Sequence, residues 1–286
     1  MSRRPPLPVA AFVVVVVVVA AFRILGIYPW NEYVFDLHAY WITRDGVDYA
    51  SHAPGPAGTY LYSPAFAQAI RPLTILPLPV FAAVWTALGA AILLWLTGRH
   101  VLWFAILPPV LLTLVQGQLD LAYAAVAVVG LRWPAAWALP LLTKVTPGIG
   151  ILWFAVRREW RSLAIAVGAT GAIVAVSLAL DPGAWSGWIQ LLLRTQGPVS
   201  DPNLVYVPIP VLVRAPFAVA VIVWGAWTDR RWTIPVAMTL AMPILWLNGP
   251  TILVAIWPML ATRADAPAAR WLRRPSHAAG SAAAPA

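Results

Sequence analysis

The chain has 286 residues, of which 61% are hydrophobic and only 10% charged, where soluble domains carry about 25% charged residues. With a mean hydropathy of +0.78, this excludes a water-soluble domain and predicts an all-α fold, a polytopic transmembrane helical bundle. The lack of cysteine rules out disulfide frameworks, thiol catalysis and thiolate metal sites, and the net charge of +9 suits arginine-rich cytoplasmic loops better than nucleic-acid binding.

The first apolar run, residues 7–27, holds seven consecutive valines (Val13 to Val19) and follows Arg3 and Arg4. A signal peptide is the competing reading, but the run is long enough to span and no small-residue cleavage pattern follows it. It is read as a retained anchor with a cytoplasmic N-terminus. Residues 28–63 then form a long outer loop holding Glu32, Asp36, Asp45 and Asp48, four of the ten acids in the chain. The stretch from Pro64 to Leu76, interrupted by Gln68, Arg71 and Pro72, reads as a juxtamembrane helix on the outer interface or as a kinked span. Further spans are expected at residues 79–97, 101–115, 119–131, 160–180, 204–226, 232–247 and 250–262.

Residues 133–157, with Pro134, Pro140, Lys144 and Pro147, are too broken for one straight helix. They predict two half-length helices meeting near Lys144 and lining a cavity. A second outer segment, residues 181–203, carries Trp185, Trp188, Ile189, Leu192 and Leu193 on one face and reads as an interfacial helix. Residues 1–263 thus make one membrane domain, and the Ala/Pro/Arg-rich residues 264–286 are expected to be a disordered cytoplasmic tail. This threading puts 13 of the 19 cations inside and seven of the ten acids outside, Asp120 among them.

Polar residues stand out against so apolar a background. Asp36 lies among bulky apolar neighbours in the outer loop, surroundings that keep a carboxylate basic enough to take a proton from a hydroxyl; an ordinary helix cap is the alternative. His38, two residues on, suits either a substrate contact or a solvent-facing position. Lys144, the only lysine beside 18 arginines, is an intramembrane cation that calls for a buried anion, or else a side chain snorkelling to the interface. Gly117 and Gln118 join two apolar runs with a backbone that allows close approach and an amide that bonds hydroxyls. Tyr60 and Tyr62 close the long loop and suit sugar stacking or interfacial anchoring. Arg71 and Arg194 can grip a phosphate, from substrate or from ordinary headgroups. The four histidines lack ligand spacing, and no Walker loop, dinucleotide fingerprint or serine elbow occurs.

In order, Asp36-x-x-x-Tyr40, Gly46 and Tyr49, Tyr62-Ser63-Pro64, Arg71-Pro72, Leu76-Pro77-Leu78-Pro79, Gly117-Gln118 and Lys144-x-x-Pro147 resemble glycosyltransferase family 87 of the GT-C superfamily. That group includes polyprenyl-phosphate-mannose-dependent mannosyltransferases, and the resemblance covers about residues 28–161. It implies a GT-C-like membrane fold in a bacterial plasma membrane with the active site on the outer face. It also implies a polyprenyl-phosphate sugar donor, a lipid-linked or glycan acceptor and inverting transfer; since a phosphate leaving group held by cations does not demand a metal, no cofactor or metal is expected. Asp36 takes the family's general-base position. Lys144 and the Gly117-Gln118 turn match family positions near donor phosphate and sugar; from the residues themselves, Arg71 and Arg194 are expected at the donor phosphate and His38, Tyr40, Tyr60 and Tyr62 at the substrates. Ser63 stands where the family tends to have proline. The rival readings are a lipid or small-solute transporter and a non-catalytic partner in cell-envelope glycan assembly.

Overall fold

A computed structural model describes residues 6–26, 35–50, 59–194, 206–262 and 265–272. It is an all-α membrane bundle, about 78% helical. The two segments expected on the outer side, residues 28–63 and 181–203, are therefore described only in part, at residues 35–50 and 59–63 and at residues 181–194.

Prolines and glycines set the element boundaries. Helix α1 (Leu7–Ile24) begins behind Pro6, and α4 (Leu78–Thr97) begins behind Pro77 and stops at Gly98, φ +57°. Between them lie α2 (Phe35–Trp41) and α3 (Pro64–Thr74). A single 3-10 turn links α4 to α5 (Val101–Ala105), so that Leu78–Ala105 forms one apolar run of 28 residues. Helices α6 (Pro108–Gln116) and α7 (Asp120–Val129) form a pair bent by 108° at the Gly117 turn. The expected spans at 101–115 and 119–131 are thus broken pieces, because Pro108 and Gly117 interrupt them.

Residues 134–156 form 3-10 turns, α8 (Ala138–Thr143) and α9 (Leu152–Val156), with Lys144 at the junction. Then come α10 (Trp160–Leu180), α11 (Pro182–Arg194), α12 (Val211–Trp227), α13 (Thr233–Leu240) and α14 (Ile256–Leu260). The runs expected at 232–247 and 250–262 fall short of full spans. The first breaks after Leu240 into strand β2 (Leu245–Trp246), paired antiparallel with β1 (Tyr206–Val207), and the second is mostly 3-10 helix. Among the described residues, Leu7–Ile24, Leu78–Ala105 and Trp160–Leu180 are long and apolar enough to cross a membrane, and the bent pair would make a fourth crossing. Their exposed valines, leucines and isoleucines are what a lipid-facing surface requires.

In the tail expected to be disordered, residues 267–272 instead form a 3-10 turn with Ala268 and Ala269 buried. Residues 273–286 lie outside the described residues. The bundle has two recognisable ends. Arg23, near the end of α1, donates to Val115 O, and Trp85, in the first half of α4, donates to Gly117 O, so these segments share one end. Arg99 lies some 20 Å further along α4, at about 1.5 Å per residue. There it meets Asp265, while Arg231 bonds Leu272 O and Arg132 stacks on Trp271. Arginines thus gather at the end away from Gly117.

Candidate active site

The site is built around the turn between α6 and α7. Gly117 adopts φ +79°, and its N–H and that of Gln118 both reach Thr113 O, at 3.0 and 3.1 Å. A Cβ at position 117 would stand 2.3 Å from Leu37 Cγ, so glycine is what lets α2 press onto this turn. Trp85 Nε1 fixes the same turn by donating to Gly117 O at 3.0 Å.

With Leu37 docked there, Asp36 lies over Gln118, whose Nε2 donates to Asp36 Oδ2. The other end of that amide, Oε1, faces Lys144 Nζ at 3.5 Å. One glutamine therefore bridges a carboxylate and an ammonium that lie far apart in the chain. Burial lifts the Asp36 carboxyl to about 6; the Asp120 charge adds to that rise, while Lys144 and the Gln118 hydrogen bond oppose it. Lys144 caps α8, and its side chain is only 13% exposed. The next residue, Val145, has φ +53°, a strained conformation for a β-branched side chain that costs about 1–2 kcal/mol. It turns the chain out of α8 and leaves Lys144 at the break.

Two residues complete the cluster. Asp120, the first residue of α7, is fully buried, with Oδ1 3.8 Å from Lys144 Nζ, and Asn248 Nδ2 donates to Asp120 Oδ2. Beside them, Tyr40 donates to Tyr62 OH at 3.2 Å, and Tyr123 OH meets Thr143 Oγ1 at 2.8 Å. Tyr40, Tyr60, Tyr62, Phe66 and Trp85 pack ring against ring as one wall, and Tyr60 OH donates to Ser63 O.

The structure thus brings together Asp36, Gly117, Gln118 and Lys144, with Tyr40 and Tyr62 behind them. Three other predicted residues stand outside this hydrogen-bonded network. His38 is exposed near Trp41, and Arg71 is exposed on α3. Arg194 donates to the carbonyls of Tyr49 and Ala50, clamping α11 onto the loop that follows α2. Among the described residues no group of three His, Cys, Asp or Glu side chains is placed to hold a metal ion.

The sequence reading counted Asp120 among the acids of the outer side but missed its burial and the part played by Asn248. A signal was present: Asn248 is one of three asparagines in the chain and stands in an apolar stretch, where an amide needs a partner.

The family model of glycosyltransferase family 87 matches residues 60–274. The chain belongs to glycosyltransferase family 87. No curated protein and no solved structure matches it. Membership makes this family 87 chain a membrane glycosyltransferase and sets the transporter reading aside. In such an enzyme the cluster at the Gly117 turn is a site with an acid, a cation and a bridging amide, assembled at the end of the bundle remote from most of the arginines.

Proposed function

We propose that the protein moves a mannosyl unit from a polyprenyl-phosphate donor to a hydroxyl of a lipid-linked or glycan acceptor at the outer face, with inversion. The observation carrying this reading is the convergence of Asp36 and Lys144 on opposite ends of the Gln118 amide. The arginines at the far end of the bundle favour a cytoplasmic location for that end, which leaves the site outside.

In the reaction, the acceptor oxygen attacks the anomeric carbon in line with the leaving group. As that bond forms, the acceptor proton passes to Asp36 and the bond from the anomeric carbon to the phosphate oxygen breaks. Polyprenyl phosphate departs as a monoester, and the Lys144 ammonium meets the charge it develops. Gly117 and Gln118 face the donor, and the wall of Tyr40, Tyr60 and Tyr62 shapes the chamber behind them. Arg71 and Arg194 lie on α3 and α11, where they would meet donor or lipid phosphates at the rim.

A carboxyl lifted to about 6 is a stronger base than an ordinary aspartate and is still mostly ionised at neutral pH. Transfer by the purified full-length chain, measured with radiolabelled polyprenyl-phosphate mannose and a membrane glycolipid extract, should fall as pH drops through about 6. Asp36→Asn should remove at least ~100-fold of the rate, a general base being worth about 10²–10⁴-fold. Unchanged transfer in that variant would take Asp36 out of the role. Absence of transfer by the unaltered chain would point instead to a non-catalytic partner.

A further inference from the structure

Asp120 is the charged group of the site that the transfer chemistry leaves without a task. It is wholly buried, and an ion without water survives only beside a partner. Its Oδ2 accepts from Asn248 Nδ2. That asparagine is fixed in turn, because its carbonyl accepts from Thr251 N–H at 2.9 Å and the Thr251 hydroxyl is bonded to Thr113 at 2.9 Å. Three segments, α6, α7 and the 3-10 turn after β2, are thus tied together around one carboxylate.

Asp120 Oδ1 faces Lys144 Nζ at 3.8 Å. Gln118 Oε1 at 3.5 Å and the Tyr123 ring at 5.8 Å also neighbour the ammonium. All are long beside the roughly 2.8 Å of a charge-assisted hydrogen bond. Asp120 thus stands as the buried counter-charge that sets the place of the cation beside Gln118.

We infer that Asp120, clamped by Asn248, is a positioning residue for sugar transfer, holding the Lys144 ammonium beside Gln118 and ready for the donor phosphate. The inference rests on the roles given above to Asp36 and Lys144. The titratable groups around Asp36 are Lys144, which holds its carboxyl down, Asp120, which pushes it up, and the phenols of Tyr40, Tyr62 and Tyr123, on which Asp36 itself acts.

The test uses the full-length chain in lipid nanodiscs with polyprenyl-phosphate mannose as the probe. Asp120→Asn should lower kcat by roughly 100-fold, the scale of a small misplacement of a reacting group, with little change in donor KM. The same variant should move the acidic limb of the rate profile below about 6, because a negative neighbour of Asp36 is gone. In a Lys144→Ala background it should add no further loss, since Asp120 acts through that ammonium.

Wild-type kcat in Asp120→Asn, an unmoved acidic limb, or losses that multiply with Lys144→Ala would each overturn the inference. Should Asp36→Asn and Lys144→Ala both retain transfer, the reading beneath it fails first and this one with it. Asn248→Ala keeps the charge and releases the clamp, so it serves if Asp120→Asn does not fold. It should lower kcat by about tenfold and leave the acidic limb in place, and unchanged kcat there would again overturn the inference.

Discussion

Both ends of the bundle pair carboxylates with cations, and they do so under opposite conditions. At the arginine-rich end, Arg99 is 60% exposed and Asp265 22% exposed, and they meet at 2.6 Å. Arg157 likewise meets Glu159 at 3.0 Å and Asp229 at 2.9 Å. Water screens such pairs, and each adds little to stability however short the contact. At the other end, Lys144 and Asp120 are withdrawn from water yet stand 3.8 Å apart. Desolvating each ion there costs several kcal/mol. Contact distance is therefore a poor guide to importance in this molecule: the short pairs neutralise a surface, whereas the long pair holds a buried ammonium beside Gln118.

The comparison can be broken without touching a charge. Gly117→Ala should have the largest effect, because φ +79° disfavours a Cβ and that atom would stand 2.3 Å from Leu37 Cγ. Left-handed strain and overpacking together predict a loss of about 2–4 kcal/mol. Moving Leu37 also moves Asp36, its neighbour in α2, so the transfer rate should fall along with the thermal midpoint in detergent. If the midpoint fell and the specific activity of the folded fraction held, the docking of α2 would not be what places the carboxylate.

A smaller effect is expected where the chain departs from the family pattern. Ser63 is fully buried, and its hydroxyl donates to Leu142 O, two residues before Lys144. A proline at this position could not make that bond, although Ser63 already has φ −63°, which proline would accept. Ser63→Ala leaves a buried carbonyl short of its donor and should cost about 1–2 kcal/mol. Ser63→Pro loses the same hydrogen bond with the backbone held, so equal losses of transfer in the two variants would assign the effect to the hydroxyl. Full activity in both would show that α3 does not help to hold the Lys144 break.

These sites show where the sequence was readable. Long apolar runs bounded by proline and glycine are local signals, and α1, α4 and α10 follow them closely. Lys144 was legible for the same reason, as a lone cation between prolines in an apolar stretch. The shorter pieces, such as the 3-10 turn over Gly249–Ala255, were not legible. Apolar character alone cannot separate a spanning helix from a short element buried in protein, since both need the same residues. The burial of Asp120 was not legible because its partner Asn248 is distant in sequence. Tyr60 and Tyr62 look like binding platforms in a sequence; their use as packing is set by Tyr40 and Phe66, which only the fold brings alongside.

The gentlest perturbation tests the wet end. Asp265 accepts hydrogen bonds from Thr262 and Arg99, which together hold its carboxyl below the usual range. A depressed carboxyl contributes stability above its unfolded-state value, and that contribution is lost as pH falls through the folded value. At neutral pH, Asp265→Asn should therefore shift the thermal midpoint slightly at low salt and less still at high salt, where exposed charges are screened. Transfer should stay at the wild-type rate, because Arg99 lies some 20 Å along α4 from Trp85 and the Gly117 turn. Orientation in the membrane should also hold, since removing an acid leaves every arginine of that end in place. A rate loss in Asp265→Asn comparable with that of Asp120→Asn would mean that the two ends are coupled through α4, and the separation of a solvated, orienting end from a dry, reacting end would no longer describe the protein.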